Sequence, residues 1–161
     1  MLEKVRIDER TWNEASDARR MEWDAVIREM LVPGEASMRA DVHALAILVT
    51  QQGFVLDAMD AADAKLATIE IPHDALAELV HEYVDVVREL ARADVQGGLA
   101  RLEALDMAKK VTHDKAGRLL QRRCVDLEID HPTARRLFSL LFALRVDTTR
   151  LHGVHGHRRI R

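Results

Sequence analysis

Leu137, Leu140, Leu141 and Leu144 recur at i, i+3, i+4, i+7, and Phe138 and Phe142 widen the stripe they form. This pattern predicts a helix that buries most of its circumference. Asp130-His131-Pro132 opens it with an acidic cap and an early proline. The other segments are expected to pack around this helix.

Upstream, Val5 and Ile7 alternate with charges in residues 3–9, which predicts a short edge strand. A helix runs from Ser16 or Asp17, as N-cap, to Leu31, with Met21, Ala25 or Val26, and Met30 inward, and Pro33-Gly34 ends it. Trp12 and Trp23 are expected in the core or at its rim. Three strand patterns follow, Asp41–Thr50, Phe54–Met59 and Leu66–Ile71. The short breaks between them, with Gly53 able to supply a positive φ, predict an antiparallel three-stranded meander. His43, within the first of these strands, lacks a second ligand at a matching offset and is not expected to bind metal.

From Pro72-His73-Asp74 a helix extends to Gly97-Gly98, with Leu76, Leu79, Val80, Tyr83, Val87 and Leu90 inward. Its polar stripe is Glu78, Glu82, Asp85, Glu89 and Arg92, a solvated face or a docking surface for basic groups. Leu99–Val111 is apolar or small nearly all round, which predicts a helix buried on two faces; Asp106 is expected to pair with Lys110 four residues on. Lys115–Cys124 reads as a second short helix, with Lys115, Arg118 and Arg122 outward. Val125–Ile129 alternates as a fourth strand.

The expected fold is therefore α+β. Four to five short strands form an antiparallel sheet, the meander at its middle, covered by a single layer of four to five helices. One domain spans 1–146, followed by a mobile basic tail, 147–161, that carries histidines. A chain of 161 residues buries roughly two-thirds of its unfolded surface. No basic leader precedes an apolar run, and no apolar stretch nears the roughly 18 residues of a membrane span, so a soluble cytoplasmic protein is expected. Cys124 is the single cysteine and reads as a packed small side chain.

The net charge of −3 hides an asymmetry: residues 1–100 carry 10 basic and 20 acidic side chains, residues 101–161 carry 14 and 7. Either the halves neutralise each other within the molecule or the basic third presents a surface to an anion.

Leu105-Asp106-Met107, Lys109-Lys110, His113-Asp114 and the unbroken run Thr133-Ala134-Arg135-Arg136-Leu137-Phe138 resemble the C-terminal signature of the bacterial uncharacterised protein family 0262. Lys109-Lys110 stands where the family has an arginine pair, and His113-Asp114 where it has His-Asn. Ile7-Asp8-Glu9 resembles the family's opening strand. Ala108, Val111-Thr112 and Lys115-Ala116 depart from it. The resemblance implies a small cytoplasmic protein and names no activity, substrate or cofactor.

The candidate binding residues are Asp106, Lys110, His113, Asp114, Arg135 and Arg136. His113-Asp114, with Asp106 nearby, has the chemistry of a proton-transfer pair. However, no nucleophile motif, metalloprotease motif or phosphate loop accompanies it, and the competing reading is a helix-junction histidine that caps the preceding helix. No catalytic residue, cofactor or metal site is assigned. His152, His155 and His157 are expected to hold a metal weakly if at all.

Arg135 and Arg136 lie near the positive end of the last helix, where each costs about 0.3–1 kcal/mol unless something negative compensates. The compensating group is either Asp130 with Glu128, the acidic stripe of residues 74–92, or a bound anion such as phosphate.

Two function classes follow. The first is a non-catalytic interaction or regulatory module that self-associates or binds a protein partner. The second is an anion-binding protein or small enzyme that takes a nucleotide or phosphorylated ligand through Lys109, Lys110, Arg118, Arg122, Arg135 and Arg136. Specific nucleic-acid binding is not expected, because no aromatics interleave with the basic stripe.

Overall fold

The computed structural model describes residues 1–96 and 98–151. In chain order the elements are β1 (Lys4–Ile7), α1 (Glu9–Glu14), α2 (Asp17–Leu31), β2 (Ala44–Val49), β3 (Gly53–Met59), β4 (Lys65–Pro72), α3 (His73–Gln96), α4 (Leu99–Arg123), a 3-10 turn (Val125–Leu127) and α5 (His131–Arg145). The strands form one sheet in the order β1-β2-β3-β4.

The sheet is mixed and not antiparallel throughout: β1 runs parallel to β2, while β2, β3 and β4 pair antiparallel. A parallel neighbour needs a crossover connection, and α1 and α2 supply it. Helix α1, absent from the sequence reading, follows β1 directly through Asp8. One Asp8 oxygen caps the Thr11 N–H at 3.0 Å and the other accepts from Val49 N–H at 3.0 Å, so one side chain starts the helix and ties down the end of β2. Partial burial opposes its ionisation. The Val49 N–H and the Thr11 N–H and hydroxyl outweigh that and hold Asp8 below the usual carboxylate range.

Leu45, Ile47, Phe54, Leu56, Ala58, Ile69 and Ile71 all point to the buried face of the sheet, and Lys4, Arg6, Lys65, Thr68 and Glu70 are exposed on the other. Gly53 does not adopt positive φ. It is needed for close approach, since a Cβ there would run into the Ile71 carbonyl and sit 2.7 Å from the Pro72 Cα.

Nine of the fifteen residues of α5 are buried, including every position from Leu140 to Leu144. A helix in an even single layer would keep an open solvent stripe, and that of α5 is narrowed to Pro132, Arg145 and the half-buried His131, Arg135, Arg136 and Ser139. Helix α2 reaches over its C-terminal end: Trp23 Nε1 and Arg19 Nη2 both donate to the Ala143 carbonyl at 3.0 Å, which satisfies acceptors the helix leaves open. The inward face of α2 is Trp23 and Met30, whereas Met21 is 71% exposed, contrary to expectation. The indole needs both burial and an acceptor, and only that rotation of α2 provides them.

Three corrections concern the last third. The two short helices expected over Leu99–Cys124 are one continuous α4, so Thr112, His113 and Asp114 lie inside a helix and not at a junction. Its N-terminal half is not buried on two faces: Leu99 is 72%, Met107 60% and Val111 46% exposed. The segment Val125–Ile129 is not a strand. Leu127 N–H bonds Cys124 O and Glu128 N–H bonds Val125 O, with Glu128 at φ 52°, so the chain turns back in one tight step from α4 into α5. Burial of Leu127 and Ile129 under this turn, with Val125 exposed, produces the alternation that imitates a strand.

The expected tail opens as a helical turn over 148–151, with the Thr149 N–H bonded to Asp147, Thr148 buried and Leu151 packed on the core. His152, His155 and His157 lie outside the described residues. Among the described residues no helix is long and apolar enough to cross a membrane.

Candidate functional site

The two signature segments meet where the middle of α4 crosses the start of α5. Gly117 permits the approach: a Cβ there would lie 2.9 Å from both Arg135 Cγ and His131 Cε1. His113 Nδ1 accepts from Arg135 Nη2 at 3.1 Å, so the ring proton is on Nε2. That nitrogen faces the Arg135 carbonyl at 2.8 Å and Ser139 Oγ at 3.0 Å. Tyr83 and Phe138 pack against the ring, at 5.8 Å and 5.7 Å between centroids. Burial first, then the Arg135 guanidinium and Lys109, hold the His113 pKa below the ordinary histidine value against the opposing Arg135 carbonyl and Asp114.

Asp114 does not bond His113, because consecutive residues on a helix face different ways. It meets Arg135 Nε at 3.2 Å and His131 Nε2 at 3.4 Å. Partial desolvation opposes its ionisation, and His131 and Arg135 outweigh it, leaving the carboxyl below its usual range. Both His113 nitrogens are thus engaged within the chain, and a general base would need one of them free. The geometry makes this junction a clamp between α4 and α5.

The remaining sequence candidates disperse. Lys110 pairs with Asp106 at 3.2 Å on the exposed face of α4, a contact of little energetic weight. Arg136 leaves the junction and pairs with Glu35 at 2.8 Å, fastening the loop between α2 and β2. Neither Asp130 with Glu128 nor the acidic stripe of α3 compensates the two arginines; Asp114 and Glu35 do. Asp130 caps α5 instead, accepting from Thr133 N–H at 2.9 Å. Lys109 lies 6.0 Å from the Tyr83 ring centroid, and Arg118 and Arg122 are exposed. The α3 stripe meets the basic third through Glu89 and Arg101, at 2.6 Å. Among the described residues no three His, Cys, Asp or Glu gather as metal ligands, and His43 pairs with Glu3 at 2.9 Å. Cys124 is buried, its thiol pushed up to about 12 by desolvation, which leaves it inert as a nucleophile.

Sequence reasoning missed a cleft of about 490 Å³ between α3, β3 and the end of α5, which Arg88 and Arg145 line. The signal available was Arg88 on the α3 face that carries Ala77 and Val84, to one side of the acidic stripe, although nothing in the sequence places Arg145 beside it.

Fold and junction together define an α+β protein in which a mixed four-stranded sheet carries an enclosed C-terminal helix, clamped to α4 by a histidine, an arginine and an aspartate. The chain belongs to an uncharacterised protein family (UPF0262), whose model matches residues 1–147. It is similar to a UPF0262 protein of Acidiphilium cryptum (strain JF-5), 26% identical over 147 residues, 89% of this chain and 91% of that one. A UPF0262 protein of Paracoccus denitrificans (strain Pd 1222) is 32% identical over 103 residues, 63% of this chain and 64% of the relative. One of Jannaschia sp. (strain CCS1) is 34% identical over 106 residues, 62% and 64% respectively. No solved structure matches.

Proposed function

We propose that this protein is a cytoplasmic, non-catalytic interaction module that pairs with a second copy of itself through the N-terminal half of α4. The observation that carries the reading is the exposed stripe Ala100, Ala104, Met107 and Val111, spaced 4-3-4 as in a helix that packs along another helix. Laid antiparallel on its own copy, Ala100 faces Val111 and Ala104 faces Met107 in each direction, a two-fold arrangement. The flanking charges then alternate in sign across the seam: Glu103, which has no ion pair among the described residues, comes within reach of Lys110 of the second copy.

The alternative, a nucleotide or phosphorylated-ligand site in the basic third, is supported less well, because Lys110, Arg135 and Arg136 hold internal carboxylates. Light scattering at micromolar concentration tests the proposal. A mass twice the 18.3 kDa of the chain, reduced to a single chain in Met107→Glu/Val111→Glu, is the expected result; a monomer throughout the micromolar range ends the reading.

A further inference from the structure

The 490 Å³ cleft falls within the roughly 300–1,000 Å³ typical of small-molecule sites, and its lining is chemically divided. Phe54, Val80, Val84, Leu141, Phe142 and Val146 give it apolar walls. Arg88, from α3, and Arg145, from the last turn of α5, line the same space. Neither arginine forms an ion pair or side-chain hydrogen bond among the described residues, whereas Arg135 and Arg136 are both held by carboxylates. Two exposed cations beside apolar walls leave both the charge and the hydrocarbon surface without a complement from the chain.

The shape narrows the ligand further. Eight residues of α3 line the cleft, and among them His73, Ala77, Val80, Val84 and Arg88 follow helical spacing along one face, with His81 beside them, so at ~1.5 Å per residue the cleft follows the helix for about 22 Å. An elongated apolar trough with paired arginines suits an extended hydrocarbon chain with a carboxylate at one end. A guanidinium fork binds a carboxylate at two points, and apolar burial of the chain adds to that attraction. Asp74 lines the end of the cleft away from Arg88 and opposes a negative charge at the distal end of the ligand, which favours a chain charged at one end only.

We propose that this cleft binds a fatty-acid-like monocarboxylate, its chain along α3 and its carboxylate at Arg88 and Arg145. The site is separate from the α4 stripe, so its test does not depend on self-association. Calorimetric titration of the full chain with decanoate, decanol and acetate at physiological salt reads it directly. Decanoate is expected to bind, decanol at least about tenfold more weakly because it lacks the charge, and acetate not measurably because it lacks the chain.

Arg88→Gln/Arg145→Gln, at two exposed positions, should weaken decanoate by about tenfold or more with an unchanged melting temperature. Ala77→Trp, which fills the cleft from its exposed rim, should abolish binding with both arginines in place. The assignment is overturned if decanoate does not bind at millimolar concentration or decanol binds as tightly. It is overturned equally if the double glutamine variant binds like wild type, or if Arg118→Gln/Arg122→Gln on α4 weakens decanoate as much.

Discussion

Helices α5 and the first half of α4 both read as apolar in sequence, yet nine of the fifteen residues of α5 are buried and none in α4 before Thr112 is. The difference lies in side-chain size and neighbours. Leu and Phe at consecutive positions of α5 leave no orientation that keeps them out of the interior. The first half of α4 spaces its apolar positions with three alanines, Ala100, Ala104 and Ala108, which contribute little burial energy; of its large apolar residues Leu99, Met107 and Val111 are exposed, and Leu102 and Leu105 are only half-buried. Helix α3, at 24 residues, and α4, at 25, are each longer than the 15-residue α5, and no residue of α4 before Thr112 is buried in the core. A hydrophobic wheel thus indicates how much apolar surface a helix carries but not whether the same chain covers it.

The widest gap between the two regions should appear on truncation. Phe138→Ala or Leu141→Ala in α5 should cost about 3–5 kcal/mol, whereas Met107→Ala in α4 should stay within about 0.5 kcal/mol. Urea denaturation at concentrations where the chain is monomeric measures both. Equal losses would mean that the exposed half of α4 belongs to the folding core after all.

Gly117 sharpens the comparison where α4 turns from exposed to buried. In an open helix, Gly→Ala stabilises by about 1 kcal/mol. Here the added methyl meets the His131 ring and the Arg135 side chain at 2.9 Å, so Gly117→Ala should instead destabilise by about 1–3 kcal/mol. A melting temperature at or above wild type would show that the contact relaxes freely and that the clamp is loose.

The clamp also predicts a pH dependence absent from the α4 stripe. Because the folded His113 pKa is depressed, the unfolded chain takes up the proton first as pH falls. The contribution of His113 is therefore complete above about 6.5, the unfolded value, and is lost as pH drops from there through the folded pKa. His113→Phe should flatten stability over that window while costing about 1–2 kcal/mol at neutral pH for the lost hydrogen bonds. An unchanged slope in the variant would assign the pH response elsewhere.

The sequence made some of this fold legible and hid the rest for identifiable reasons. Helix α5, its Asp130 cap and the three patterns that became β2, β3 and β4 are local signals, carried by spacing within a dozen residues. The parallel direction of β1 depends on α1, whose six residues are too few for periodicity and whose cap, Asp8, reads equally well as the end of a strand. Val125–Ile129 failed because alternation over five residues cannot distinguish a strand from a tight turn with its inner side buried. At the candidate site, resemblance brought His113, Asp114 and Arg135 into one group, but the direction of each bond followed from helix geometry that only a continuous α4 reveals. Glu35 as the partner of Arg136 is a contact across 101 residues, and nothing local announces it.

The smallest predicted effect tests the α4 surface most selectively, because it alters charge without altering shape. In the proposed antiparallel pairing, Glu103 of each copy would approach Lys110 of the other, so the contact would occur twice in such a dimer. An exposed ion pair contributes about 0.2–1 kcal/mol; doubled by symmetry, its loss should weaken self-association by roughly two- to thirtyfold. Glu103→Lys or Lys110→Glu alone places like charges together and should raise the dissociation constant over that range. The double variant restores opposite signs and should return it close to wild type, a non-additivity that only direct proximity produces. Lys110 also pairs with Asp106 within its own helix, so the monomer's urea midpoint serves as the control for helix weakening. If the two single changes add in the double variant while the monomer keeps its stability, the helices do not meet in this register, and the exposed stripe of α4 faces some other surface.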